Sequence, residues 1–359
     1  MLGPILTLAP MTWKEAMEPS HQGPRPSNRA RPSSRGPEWR PPGLIVALVA
    51  GLVLSPLACD APPPPPPLSS PQEHRAEVEA WQARRVAELR EPDSWLSVVG
   101  LFWLTQGENA IGSDPRMAVA LPGANVPPFL GTLTLRGQGS FEFAYAPGVA
   151  EPPVPGGAEP APGGANPLAF RMDSPEGGPV FRWGTLTWFV IERFGEYAIR
   201  LRDSDSQALA EFQGLESFPV SADWRILGRM DRYDPPREIS TPNVLDIPST
   251  SDSPGAVVFE VGGEEYRLDV TGEVGARHFF AVFGDATNRD ETYPGGRFLT
   301  VDAPVEGDWV VIDFNRAYNP PCVFTPYATC PVPPEQNKLP LRIEAGEKMY
   351  YGGAHRSLH

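Results

Sequence analysis

A mostly β fold is predicted for this chain, with one N-terminal helix, a sandwich-like β lobe and a second β-rich lobe of sandwich or barrel form. Three observations predict it. After residue 95 the chain breaks into many short apolar runs, including TLTWFVIER, YAIRLRD, AVVFEV, RHFFAVF and DWVVIDF, each bounded by Gly, Pro, Asn or Asp. That punctuation is the pattern of strands and turns. No helix-length amphipathic segments lie between these runs, so the crossovers of a parallel α/β sheet are missing. Gly262-Gly263 separates AVVFEV from EEYRLDV, and two glycines supply the positive φ of a tight hairpin.

Residues 1–42 are rich in Pro, Ser and Arg and short of apolar side chains, which predicts a disordered leader. Gly43 to Leu57 is an apolar run of about fifteen residues, short for a membrane span and right for a signal-peptide core. Residues 43–59 therefore read as an export signal, and Leu57-Ala58-Cys59 resembles the end of a bacterial lipobox, with Pro56 where that motif prefers Leu. Cys59 is the candidate for lipidation. A plain signal peptide or an uncleaved anchor are the alternatives, and translation starting at Met11 or Met17 would shorten the leader. The proline run in residues 60–72 reads as an extended tether. The expectation is an exported protein held to a membrane by a lipid or signal anchor, on the periplasmic or cell-surface side.

Glu73 to Leu89 carries the one convincing long helix, ended by Pro92-Asp93. Its apolar face is irregular. Residues 73–145 are assigned to this helix and the first β lobe, and residues 168–350 to the C-terminal lobe. The Pro/Gly/Ala-rich stretch 146–167 between them is a linker or an insertion, and 351–359 is a tail.

The formal charge is −14 over 359 residues; six Lys or Arg and three Asp or Glu precede Cys59, leaving 24 basic against 41 acidic residues, a balance of −17. A nucleic-acid surface needs clustered basic residues, so nucleic acid is excluded as a partner. Of five histidines, His278 alone lies within the strand-rich body. Multi-histidine metal sites are thereby disfavoured, and the C-x₇-C spacing of Cys322 and Cys330 is not the tight pair of a structural zinc site. No metal and no cofactor are expected. G-x-S-x-G, G-x-x-x-x-G-K-[ST] and G-x-G-x-x-G are all missing, which removes the commonest hydrolase and nucleotide signatures.

The densest collection of special residues is DFNRAYNPPCVFTPYATCPVPP, from Asp313 to Pro334. Here Asn315, Arg316, Tyr318, Asn319 and Tyr327 are candidates for binding a small polar ligand, with Tyr293 and Arg297 from the preceding segment. Arg297 is placed to pair with Asp313 or to hold a ligand's carboxylate or phosphate. Asp285, Asp313 and Glu347 are the candidate general acids and bases if the protein is an enzyme, a hydrolase or lyase without cofactor. A purely structural envelope protein is the third reading. If Cys59 is lipidated, Cys322 and Cys330 remain as a pair able to form a disulfide in an oxidising compartment.

WLSVVGLFWLTQGENAIGSDP, YAIRLRD, DATNRDETYPGGRFL and DFNRAYNPPCVFTPYATCPVPPEQNKLPLRIEAGEKMY together resemble the bacterial and archaeal family called domain of unknown function 1684, from about Trp81 to Tyr350. The resemblance implies a shared fold and shared special residues; the family has no established activity to carry over. More weakly, GENAIGSDP with AVALP and GTLTL resembles forkhead-associated sandwich domains. Ser113 stands where those domains read phosphothreonine with Arg, so phosphopeptide binding is not implied.

Overall fold

The computed structural model describes residues 63–149, 167–172, 178–304 and 307–352. The leader, the apolar run, Cys59, most of the 146–167 stretch and most of the tail lie outside them. Among the described residues, no helix is long and apolar enough to cross a membrane.

Helix α1 spans Pro71–Leu89. Its start is fixed by a capping box: the Ser70 hydroxyl accepts from the Glu73 N–H, the Glu73 carboxylate accepts from the Ser70 N–H at 2.9 Å, and Pro71 occupies the first turn. Its end is held by Ser94, whose hydroxyl donates to the Leu89 carbonyl at 2.7 Å. The buried positions are His74, Val78, Arg85 and Leu89. These share one face at helical spacing, and two of the four are polar, which is why the apolar periodicity looks irregular in sequence.

The first lobe is a sandwich. Strands β1 (Val98–Trp103), β2 (Gly107–Gly112), β3 (Val119–Ala120), β4 (Gly131–Gly137), β5 (Ser140–Tyr145), β6 (Leu168–Arg171), β7 (Phe181–Trp183), β8 (Leu186–Arg193) and β9 (Glu196–Asp203) form two sheets, ordered β1-β9-β8-β7 and β3-β2-β4-β5-β6. Leu133, Leu135, Phe141 and Phe143 from one sheet meet Phe181, Trp188, Val190, Ile199 and Leu201 from the other in a shared core. Alternation along β8 and β9 sends Phe189, Ile191 and Ala198 to the opposite face.

This arrangement moves the expected lobe boundary. β6 pairs antiparallel with β5, and β7 to β9 complete the other sheet, so the first lobe runs to Asp203 rather than ending at residue 145. The 146–167 stretch connects two paired strands within one lobe; it is an insertion, not an interdomain linker. A long connection costs little here, because loop-closure entropy grows only slowly with length.

After the short helix α2 (Gln207–Ala210), strands β10 (Arg225–Ser240), β11 (Thr250–Val261), β12 (Glu264–Val270), β13 (His278–Phe283), β14 (Arg297–Asp302) and β15 (Trp309–Asp313) build the second lobe. The sheet β12-β11-β10-β15 packs on the β13-β14 ribbon through Val257, Phe259, Leu268, Phe283, Leu299, Val301, Ile312 and Phe314. The β11-β12 turn uses Gly262 and Gly263 at φ 65° and 85°, as the double glycine predicts.

A third apolar cluster joins everything. Leu89 of α1 and Trp95, Leu96 and Val98 of the first lobe pack with Val282, Phe298, Tyr318, Val323, Phe324, Ala328 and Cys330 of the second. The Thr325 hydroxyl donates to the Val98 carbonyl at 2.9 Å across this junction.

Candidate functional site: three polar clusters and an interlobe cleft

Arg297 is fully buried at the start of β14. Its Nη2 donates to Asp285 Oδ1 at 3.1 Å and to the Ile343 carbonyl at 2.9 Å, and its Nη1 donates to the Ala345 carbonyl. Asp285 also accepts from the Ile343 N–H at 2.9 Å and from the Thr287 hydroxyl at 2.9 Å. Neither side chain of the Arg297–Asp285 pair reaches solvent. The expected pairing of Arg297 with Asp313 is therefore overturned: Asp285, at the far end of the β13-β14 connection, and two backbone carbonyls engage both Nη atoms from within, while the buried Nε has no hydrogen-bond partner. A desolvated arginine needs an anion to offset its charge and acceptors for its donors, and Asp285 supplies the anion here.

Asp313, at the end of β15, belongs to a second cluster. His74 Nε2 lies 2.9 Å from Asp313 Oδ2, Arg316 Nε 3.5 Å from the same oxygen, and Arg316 Nη2 3.6 Å from Glu77. Asn315 is buried and exchanges hydrogen bonds with the Ser221 backbone at 2.8 and 2.9 Å.

Glu347 anchors a third. Arg85 Nε donates to Glu347 Oε1 at 2.6 Å and Arg85 Nη2 to the Asn319 carbonyl at 3.0 Å, while Glu347 Oε2 accepts from the Asn319 N–H at 2.8 Å. The Arg85 guanidinium lies over the Tyr318 ring, 4.6 Å from its centroid. Asn319 Nδ2 donates to the Lys348 carbonyl at 2.7 Å. Beneath α1, Glu347 also borders a cavity of about 350 Å³ with Glu79, Gln82 and Phe218.

The second and third clusters share one task, which is to seat α1. His74, Glu77 and Arg85 are its contacts, and the Asp313–Asn319 segment with Glu347 is the socket. Gly346 makes the geometry possible: at φ 80°, with backbone oxygens of Ala317 and Phe314 within 2.8 Å of any added Cβ, it turns the chain so that Ala345 serves Arg297 while Glu347 serves Arg85. Of the remaining candidates, Tyr318 is buried, Tyr293 half-buried, and Tyr327 exposed on the surface. Burial pushes the Tyr318 phenol up to about 12.

Cys322 and Cys330 face each other as thiols; the expected disulfide is not formed in this structure. The Cys322 N–H donates to Cys330 Sγ at 3.1 Å. Cys322 is half-buried and Cys330 buried. A hydrogen bond from Cys330 holds the Cys322 thiol below the usual range, whereas burial pushes Cys330 well above it.

A larger hollow lies elsewhere, between the lobes. It has a volume of about 750 Å³, and its first-lobe wall presents Trp95, Arg193, Phe194 and Arg200 to Thr241, Ser251, His278, Thr300 and Cys330 of the second lobe. Arg200 is 2% exposed, and its guanidinium lies 4.8 Å from the Trp95 ring centroid. Arg193 Nη1 donates to the Glu192 carbonyl at 2.7 Å. Burial, then repulsion from a neighbouring arginine, pulls both guanidiniums down to about 10. Both remain cationic at neutral pH. Glu238, Asp252 and Glu273, all exposed, add negative charge at the cleft's rim. Asp269, a buried carboxylate on the same wall, is held by the Tyr233 hydroxyl at 2.8 Å and by Gln336 at 2.9 Å. Phe194 turns the β8-β9 hairpin at φ 56°, a conformation that non-glycine residues rarely adopt.

Sequence reasoning missed Arg193 and Arg200. The signal was present in YAIRLRD, where alternation puts Arg200 and Arg202 on one face of what proves to be a strand hydrogen-bonded on both sides. Charged pairs on an inner strand are rare unless that face meets something polar. Among the described residues no cluster of three or more His, Cys, Asp or Glu is arranged to hold a metal. His278 Nδ1 instead pairs with Asp302 at 2.7 Å.

Fold and cleft together define a two-lobed, mostly β protein whose lobes meet around a hollow with an arginine floor. Residues 210–348, nearly all of the second lobe, match the family described as Protein of unknown function (DUF1684), in agreement with the resemblance carried by the DATNRDETYPGGRFL and DFNRAYNPP motifs; WLSVVGLFWLTQGENAIGSDP and YAIRLRD lie outside the matched residues. A solution NMR structure of an uncharacterized protein of Haloarcula marismortui is similar at 28% identity, with 39% of this chain and 78% of that chain covered and a TM-score of 0.33. No curated protein matches the chain.

Proposed function

We propose that this is an exported, membrane-tethered binding protein that holds a small polar ligand with an anionic group in the interlobe cleft. The observation that carries the reading is the pair of arginines at the floor of the hollow, Arg200 buried and Arg193 half-buried. A buried guanidinium is expensive, and a site that places two together on one wall is suited to receive a carboxylate or phosphate in the bidentate geometry arginine favours. The cleft's size fits a metabolite. Its hydroxyl-bearing second-lobe wall suits a hydroxylated or amino-substituted body, with the rim carboxylates favouring a cationic group.

Acid–base hydrolysis is less well supported. Asp285, Asp313 and Glu347 are each engaged in an internal ion pair, and none of them borders this cleft. The membrane tether rests on the leader, the apolar run and Cys59 in the sequence.

Two measurements test this. Phosphate, phosphomonoesters, dicarboxylates and α-amino acids, screened by thermal shift, should include a class that raises the melting temperature; a ligand at a hundred times its Kd adds about 2.7 kcal/mol. Arg200→Met should abolish that gain while leaving the unliganded protein as stable as before or more so, since an apolar side chain of similar length spares the desolvation cost. A gain that survives in Arg200→Met would remove the cleft from the account. For the tether, Cys59→Ser should shift the protein from the detergent phase to the aqueous phase in cells that process lipoproteins. Unchanged partitioning would leave no role for a lipid.

A further inference from the structure

We propose that Cys322 and Cys330 form a dithiol exchange site at the edge of the interlobe cleft, with Cys322 the attacking thiol, Cys330 the buried resolving thiol, and a low-molecular-weight or protein disulfide as co-substrate. The two thiols differ in the way such chemistry requires. Cys322 lies in the short turn Pro321–Val323, is half-buried, and follows two prolines that fix the backbone presenting it. Cys330 is 2% exposed and borders the cleft. Its position is set from the other side as well: its carbonyl accepts from the Val244 N–H at 3.1 Å, and the Val332 N–H donates to the Pro242 carbonyl at 2.7 Å. The Cys322 N–H points at Cys330 Sγ, and the two thiol side chains are also in hydrogen-bond contact within one loop.

The electrostatic surroundings agree. Arg200 and Arg193 are the cations facing the pair, and the Tyr293 phenol is the other titratable neighbour. Positive charge and the hydrogen bond from Cys330 both favour the Cys322 thiolate, the nucleophilic form. In the first step the Cys322 thiolate attacks one sulfur of the co-substrate disulfide; a Cys322–sulfur bond forms, the co-substrate's S–S bond breaks, and one thiolate leaves. Cys330 then loses its proton to solvent and attacks Cys322 Sγ, expelling the second thiolate. The two protein thiols are oxidised by two electrons, and one disulfide is reduced to two thiols. The disulfide expected from the sequence is then one of two working states of the site.

Oxidised glutathione is the probe, applied to the reduced full chain and read by intact mass with peptide mapping, which separates Cys59. The native protein should pass to a Cys322–Cys330 disulfide without accumulating adduct. Cys330→Ser should trap glutathione on Cys322, and Cys322→Ser should react roughly ten-fold more slowly or less. Alkylation of the native reduced protein with iodoacetamide checks the same asymmetry without a variant, labelling Cys322 well before Cys330. Equal labelling of the two thiols, or a stable glutathione adduct on the native protein that never closes, would overturn the proposal.

Discussion

Asp285→Ala should destabilise the protein by about 3–5 kcal/mol, read as a lowered midpoint in chemical denaturation with an unchanged slope. The cause is not the loss of one attractive pair. It is the Arg297 guanidinium left behind, wholly buried, with its carboxylate gone and two carbonyls as its remaining partners. The Ile343 N–H loses its acceptor in the same step, and the Thr287 hydroxyl keeps only the Thr292 hydroxyl. Asp285→Ala combined with Arg297→Met should recover much of the loss, because the stranded charge is then removed. A double variant as unstable as the single one would show that the carboxylate matters for the loop Asp285–Thr292 rather than for the ion pair. Unchanged stability in Asp285→Ala would mean that the pair is open to water.

The strand-rich plan was legible because β structure leaves its period in the chain: alternating apolar residues broken by Gly, Pro and Asn are local signals that survive without tertiary knowledge. The membership of β6 to β9 in the first lobe was not legible. Pairing of β5 with β6 is a long-range fact, and a Pro/Gly/Ala-rich stretch looks the same whether it separates lobes or loops out of one. The Asp313–Pro334 segment was recognisable as special from its composition, and its residues are indeed held by specific contacts. What composition could not say is which partners they take. His74, Glu77 and Arg85 lie more than 200 residues away, on a helix whose buried face is half polar. An irregular apolar stripe on an otherwise good helix was the one available hint that its socket is polar too. Arg193 and Arg200 escaped for a related reason: whether an arginine on a strand faces solvent, a cleft or another lobe depends on what packs over that sheet.

Glu347→Ala should release α1 from its socket at a cost of about 3–5 kcal/mol, the range for stranding a buried partner. Arg85 keeps the Asn319 carbonyl and the Tyr318 ring, but its charge loses its neutraliser, and the buried Asn319 N–H loses its acceptor. Glu347→Gln should do less harm, since an amide oxygen can still accept from Asn319 although the charge is gone. The damage should also be local. The sheets of both lobes have their own cores, whereas α1 is attached through Val78, Leu89, the partly buried Trp81 and Val86, and the two polar clusters. Hydrogen exchange should therefore show amides of Val78 to Leu89 losing protection in Glu347→Ala before those of β8, β9 or β11. Uniform loss of protection across all elements would instead make the helix part of one cooperative unit, with the Asp313–Asn319 socket at its centre. Because Leu89 and Trp95 share the apolar cluster that also contains Cys330, a freed helix should loosen the cleft as well, and the Glu347→Ala protein should show weaker ligand stabilisation than its melting temperature alone predicts.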